Sequence, residues 1–160
     1  MNIKFGKKNV GIKNKAFLIA EVAQAHDGSL GYAHAFIDAA AEAGFDAVKF
    51  QAHYAKEEST LDEPFRVNFS YEDNTRYEYW QRMEFTKEQW SGLKDHAESK
   101  KLEFLCTPFS AYAVDLLDSI GIVGWKIGSG DVEEKWLLDK IAKTKKPIIL
   151  SSGMSSLEDV

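Results

Sequence analysis

Apolar residues in this chain gather into short runs. Between the runs they recur every three or four positions. The runs are Phe17-Leu-Ile-Ala-Glu21, Asp46-Ala-Val-Lys-Phe-Gln51, Leu102-Glu-Phe-Leu-Cys-Thr107, Ile122-Val-Gly-Trp-Lys-Ile127 and Pro147-Ile-Ile-Leu-Ser151. Near-continuous runs of this length mark strands buried on both faces. The intervening segments carry helix signals. Ser29 can cap a helix with Phe36, Ile37, Ala40 and Ala43 at helical spacing, stopped by Gly44. Thr86-Lys-Glu-Gln89 has capping-box spacing and opens a helix to about Lys100. Ser110 opens another, with Val114, Leu117 and Ile120, closed by Gly121. Asp131-Val-Glu-Glu134 has the same box spacing ahead of a helix to Lys143, and Ser155-Ser-Leu-Glu158 predicts one more.

Five strand–helix alternations predict a parallel α/β architecture. Two stretches stand outside the rhythm. Residues 1–15 alternate weakly (Ile3, Phe5, Val10, Ile12) around Gly6 and Asn9, which predicts an N-terminal β-hairpin ahead of a main domain over 16–160. Residues 52–84 hold Pro64, many charges and Phe65, Phe69, Tyr71, Tyr77, Tyr79 and Trp80. A segment this long inside a compact domain is usually functional. It reads either as an insertion packing its own aromatics or as a wall over a site.

Polar residues cluster where each strand run ends. They are Glu21, Lys49 with Gln51, Thr107, Lys126 with Ser129 just beyond, and Ser151. Alternation puts Ile19 and Glu21 on one face, with Ala47, Lys49 and Gln51, Leu105 and Thr107, and Ile149 and Ser151 on the matching face of their strands. Leu18, Val48, Phe50, Phe104 and Leu150 take the opposite face, suited to packing under helices. Polar ends spread over all five strands suit a (β/α)8 barrel, whose active site collects at the carboxyl ends. A doubly wound sheet would concentrate them near one switch point. A barrel takes about 250 residues. The 160 residues here are therefore expected to supply about the first five units of a longer protein.

Lys126 lies between Trp125 and Ile127 in sequence and shares its own parity with Gly124 and Gly128, which predicts open space beside it. A lysine there needs an anion. Gly128-Ser-Gly130 and the expected start of a helix at Asp131 add N–H groups and a hydroxyl, a combination that suits an anion. With Lys49 aimed into the same mouth, the pattern points to a doubly anionic small ligand, with Thr107, Ser129 and Ser151 as hydroxyl donors. Two other readings stay open: a salt bridge to Glu21, and a Schiff-base lysine of an aldolase. His26 and His53 are weaker candidates, His34 and His96 fall on expected helix surfaces, and Cys106 has outward, core-facing parity. No His, Cys, Asp and Glu set has complete metal spacing. Gly128-Ser-Gly130 lacks the third glycine of a dinucleotide fingerprint.

Bulk properties narrow the class. The net charge of −5, without a basic run beyond Lys143 to Lys146, excludes a general nucleic-acid binder. One cysteine excludes an internal disulfide framework and suggests a reducing compartment. The polar start and the lack of a long apolar run lead us to expect a cytoplasmic protein with no membrane contact.

Several motifs in order resemble one family. They are Ile19-Ala-Glu21 with His26-Asp-Gly28, Val48-Lys-Phe-Gln51, Thr107-Pro-Phe-Ser110, Lys126-Ile-Gly-Ser-Gly130 and Ser151-Ser-Gly-Met154. Together they resemble the N-terminal barrel of the sialic acid (N-acetylneuraminate) synthase family from about residue 16 onward. The resemblance implies a TIM barrel followed by an antifreeze-like domain, a homodimer, and condensation of phosphoenolpyruvate with an N-acetylated amino sugar. It implies that Glu21, Lys49 and Lys126 are catalytic and that Gln51, Thr107, Ser129, Asp131 and Ser151 bind substrate. Asp131 stands where the family often has glutamate, and Ala25 where many members have asparagine. A divalent metal, manganese or magnesium, is implied, with its histidine ligands beyond Val160. A truncated, non-catalytic half-barrel is the alternative to an active synthase.

Overall fold

A computed structural model describes residues 2–156 and Glu158. The chain opens with an antiparallel hairpin, β1 (Asn2–Phe5) and β2 (Lys8–Gly11). A five-stranded sheet follows, formed by β3 (Ile19–Ala23), β4 (Ala47–Ala52), β5 (Glu103–Pro108), β6 (Trp125–Ile127) and β7 (Ile148–Leu150). Every neighbouring pair is parallel, and the strands lie side by side in sequence order. That order never reverses, as it would in a doubly wound sheet. The helices are α1 (Leu30–Glu42), α2 (Ala55–Glu58), α3 (Arg76–Met83), α4 (Lys87–Ser99), α5 (Ala111–Ser119) and α6 (Lys135–Lys143). No described helix is long and apolar enough to cross a membrane.

Local chemistry explains most boundaries. Ser29, Thr86 and Ser110 cap α1, α4 and α5 by accepting hydrogen bonds from Tyr32, Gln89 and Ala113 N–H groups. Thr75 and Glu78 form a further capping box that opens α3 inside the segment that looked irregular. The box expected at Asp131 does not form. Asp131 and Glu134 sit in successive turns, with Asp131 N donating to Gly128 O at 3.1 Å and Glu134 N to Asp131 O at 3.1 Å. The helix begins at Lys135, without a side-chain cap at Glu134. The glycine loop is thus separated from the helix start it was expected to share. The helix expected from Ser155 runs onto 157, 159 and 160, which lie outside the described residues.

The two sheet faces pack differently. Val22, Val48, Phe50, Phe104, Cys106, Trp125 and Ile127 meet the helices in the main core. Leu18 was expected there but is 50% exposed, because β3 starts one residue later, at Ile19. Val22 takes that role instead. On the other face Ala47 and Leu105 meet Phe5 of the hairpin, with Phe17, Ile19, Val123 and Ile149 around them. The hairpin thus plugs the amino-terminal end of this face. Phe5 stacks on Phe17 at 5.8 Å, and Lys7 N donates to buried Glu103 at 2.7 Å. Gly124 does not leave open space: a Cβ there would fall 2.7 Å from the Phe5 ring. His34 and His96 are not simple surface residues. Their Nδ1 atoms lie 2.8 Å apart between α1 and α4, and His96 also reaches Asp38.

Candidate functional site

Among the described residues, six that are polar or charged are buried: His26, Lys49, His53, Glu103, Thr107 and Ser110. Glu103 serves the hairpin and Ser110 caps α5. The other four lie at or just beyond the carboxyl ends of β3, β4 and β5. The ladder explains the grouping. Glu21 pairs in register with Lys49, and Gln51 with Thr107. Adjacent strands lie about 4.8 Å apart, so these side chains share one rim. Lys126 lies on the same face of β6, opposite Trp125 and Ile127, which are buried in the helix-side core.

The expected salt bridge exists. The Lys49 ammonium donates to the Glu21 carboxylate. Lys49 is nearly enclosed, whereas the Glu21 side chain is half exposed. Lys126 has no carboxylate partner within salt-bridge distance among the described residues; its ammonium donates to the carbonyl of Ile127. Burial holds the Lys126 pKa below the ordinary lysine value, and the charge of Lys49 lowers it further, against smaller opposing pulls from Glu21 and Asp131. Burial and Glu134 raise the pKa of Asp131, while His53 and Lys126 pull it down. Register and strand alternation put Glu21, Lys49 and Lys126 on one face of the sheet, and Asp131 lies just beyond β6. Asp131 folds back over Gly128, where a Cβ would fall 2.7 Å from its Oδ2. Ser129 and Ser151 are half-buried, and Ser151 N donates to Ile127 O at 3.1 Å.

Residues 53–84 form a wall beside this mouth. Its aromatics do pack on one another, with Phe65–Phe69, Phe69–Tyr79 and Tyr79–Trp80 ring centres 4.9–5.2 Å apart. The wall also engages the loop after β3. Arg82 bridges Asp27 and Asp73 at 2.6 and 2.7 Å, and the Tyr79 hydroxyl donates to Gln24 Oε1 at 3.1 Å. Gly28, at φ +76°, permits the closest approach; a Cβ there would sit 2.4 Å from the Arg82 carbonyl oxygen. The segment therefore packs its own aromatics and is also fastened to the loop after β3.

Two histidines carry more structure than their sequence context suggested. His26 Nδ1 accepts from Gly28 N at 3.1 Å, so Nε2 bears the hydrogen of the neutral ring. Burial lowers its pKa to about 4, against an upward pull from Asp27. His53 continues the parity of Lys49 and Gln51. Its ring is sandwiched between Trp80 at 3.9 Å and Phe109 at 4.0 Å. Its Nδ1 lies 2.6 Å from Glu58, whose other oxygen accepts from Tyr54 N at 2.7 Å. Alternation pointed to His53; nothing in the sequence pointed to Glu58. Cys106 is fully buried in the helix-side core, and burial raises its thiol pKa. A groove of about 650 Å³ between Tyr54, Glu84, Thr86 and Tyr112 includes none of the lysines, hydroxyls or carboxylates of the mouth. Among the described residues, no three His, Cys, Asp or Glu converge to hold a metal ion.

Comparison with known proteins gives the family. The chain is 36% identical over 149 residues to the N,N'-diacetyllegionaminic acid synthase of Campylobacter jejuni, covering 91% of this chain and 45% of that protein. It is 32% identical over 152 residues to human N-acetylneuraminate-9-phosphate synthase, covering 93% and 42%. The crystal structure of N-acetylneuraminic acid synthetase from Leptospira borgpetersenii serovar Hardjo-bovis superposes with a TM-score of 0.84 at 31% identity, covering 99% of this chain and 52% of that one. The chain spans about half the length of these relatives. The NeuB family model matches residues 36–160, and the chain belongs to the NeuB family.

Proposed function

We propose that the protein containing this chain condenses phosphoenolpyruvate with an acetamido sugar aldehyde, giving a nonulosonic acid and phosphate. One observation carries the reading: Lys49 and Lys126 face one mouth, and only Lys49 has a carboxylate partner among the described residues. A small ligand with both phosphate and carboxylate supplies the missing charge. Lys126 binds one anionic group and gives up its bond to Ile127 O. Thr107, Ser129 and Ser151 donate to phosphate oxygens. Gln51 and Asp131 hold the sugar. Glu21, half exposed and tethered by Lys49, lies nearest the reacting carbons and orients the aldehyde or moves a proton. In the reaction the enol carbon attacks the aldehyde carbon, water adds at the neighbouring carbon, and phosphate leaves. The two ammonium groups hold negative charge in place through the transition state.

The strands here continue into a closed (β/α)8 barrel in the whole protein, which acts in the cytoplasm as a homodimer. The family resemblance implies manganese or magnesium, held by residues beyond this chain. No step above runs through it. The test is phosphate release by the intact protein, supplied with phosphoenolpyruvate and a panel of acetamido sugars. Release that requires both substrates supports the reading; no release with any sugar, or release from phosphoenolpyruvate alone, overturns it. A Schiff-base aldolase is the second reading, favoured by the lowered pKa of Lys126. Borohydride with a keto-acid would then trap a covalent adduct on Lys126, which the synthase reading forbids.

A further inference from the structure

Away from the mouth, α1 and α4 meet across two half-buried histidines. His34 Nδ1 and His96 Nδ1 lie 2.8 Å apart, and the ring centres are 4.9 Å apart. The second distance is close to the nitrogen gap plus one ring radius on each side, so the two nitrogens point at each other. A metal ion would need both lone pairs to converge on a third point, and facing nitrogens leave it no room. A hydrogen fits between them, and the gap holds only one.

The neighbours fix where the hydrogens sit. His96 Nε2 lies 3.1 Å from Asp38 Oδ1, and the Lys100 ammonium lies 2.7 Å from the same oxygen. The bond from Lys100 holds the Asp38 carboxyl below its usual range, so Asp38 only accepts. His96 therefore keeps a hydrogen on Nε2 and, when neutral, offers a lone pair at Nδ1. His34 Nδ1–H donates to it, and the His34 lone pair is at Nε2. A first added proton leaves the bridge intact. It enters at His34 Nε2, the bridging hydrogen passes to His96 Nδ1, and the charge rests beside Asp38. A second proton has no such place. Both rings would then carry hydrogens on both nitrogens, and two N–H groups of like charge would collide. Burial holds the His34 pKa below its ordinary 6.5, and the charge of His96 lowers it further, against an upward pull from Asp38.

The other charged groups around the seam are engaged. Glu42 of α1 acts on Lys100, and Lys94 of α4 pairs with Glu98. Asp115 and Asp118 of α5 pair with Lys140 and Lys146. Of the strands behind, Glu21 and Lys49 bind each other, and Glu103 takes Lys7 N.

We infer that His34 and His96 form a proton-operated clamp between α1 and α4, closed by one bridging hydrogen and opened when both rings are charged. The clamp does not depend on the synthase reading. It joins stretches that the wall also joins: α1 follows the loop carrying Gln24 and Asp27, and α4 follows the wall, whose Tyr79 and Arg82 hold those residues. Folded His34 takes its proton less readily than the unfolded chain does. Its contribution to stability is therefore complete above pH 6.5 and falls as pH drops below that value.

Hydrogen exchange of the intact protein, read by mass spectrometry at about pH 7.5 and about pH 5 and corrected for the chemical rate, tests the clamp. Peptides from α1 and α4 are expected to exchange about tenfold faster at the lower pH, while those from α5 change little. His34→Asn cannot take the second proton, and its amide can turn either end toward His96. Its α1 and α4 peptides should exchange alike at both pH values. Relative to the unaltered protein, its thermal midpoint should rise by about 2–4 °C between the higher and the lower pH. His96→Asn, whose carbonyl accepts from His34 Nδ1–H, makes the same test from the other helix should His34→Asn fail to fold. Unchanged α1 and α4 exchange in the unaltered protein overturns the clamp, whatever the variants do. Equal acceleration in a folded variant overturns it as well, and so does equal acceleration of α5, which would mark general loosening by acid.

Discussion

The inner face of the sheet is two regions built on the same strands. At its amino-terminal end Ile19, Ala47, Leu105 and Ile149 close around Phe5 of the hairpin. Two residues further along those strands the same face carries Glu21, Lys49, Thr107 and, beyond β7, Ser151. Alternation makes the switch possible, since a two-residue step returns a side chain to the same face. The lower layer gains stability by excluding water. The upper layer gives some of it up, because an enclosed ammonium and buried imidazoles cost desolvation free energy. Placing the two so close lets one rigid packing fix the positions of groups that would not choose to sit together.

This contrast can be broken in order of expected effect. Lys126→Ala in the intact protein should cut turnover by about 10³-fold or more, the loss of charge stabilisation at a transition state. Phosphate-release kinetics check this. The thermal midpoint should scarcely move, since the ammonium contributes only a bond to its neighbour's carbonyl. Near-normal activity would sink the assignment of this mouth. Phe5→Ala should do the reverse. Truncating this buried ring costs about 3 kcal/mol or more in folding stability, read by denaturant unfolding, while kcat of the folded fraction stays within about twofold. A large kcat loss would show that the two layers are not separable.

Acid should act on the upper region selectively. His26 has an ordinary pKa of 6.5 and a folded value of about 4. Its folded form resists the proton that its unfolded form takes up. Stability from this group is therefore complete above pH 6.5 and falls as pH drops from there toward 4. The loss reaches roughly 3 kcal/mol. Melting curves of the intact protein and a His26→Leu variant between pH 7 and 4 should converge as pH falls. Parallel curves would contradict the burial of His26.

Much of this was legible in the residues because alternation is rigid. Lys49, Gln51, Thr107 and Lys126 lie on the face that parity assigned, and Cys106 lies on the other. Boundaries were less legible. Leu18 fell outside its strand, and Asp131-Val-Glu-Glu134 made turns where box spacing suggested a helix start. Box spacing states a possibility that the tight Gly128 turn overrides. The partners of His53 and His26 were invisible, because Glu58, Trp80 and Phe85 reach them through the tertiary course of the wall. Gly124 misled for the same reason: the ring that fills its space comes from residue 5.

That ring has a consequence for how the chain assembles. Each strand of the sheet finds its neighbours among the units next to it in sequence, so those pairings close shorter loops, the widest being Ala47 with Glu103. Phe5 must wait for Gly124, and Lys7 for Glu103. Contacts of such separation carry the larger loop-closure cost and tend to form late. The residues of the hairpin are thus among the last of this chain to find their place. A nascent chain halted before Gly124 would hold its hairpin without a seat.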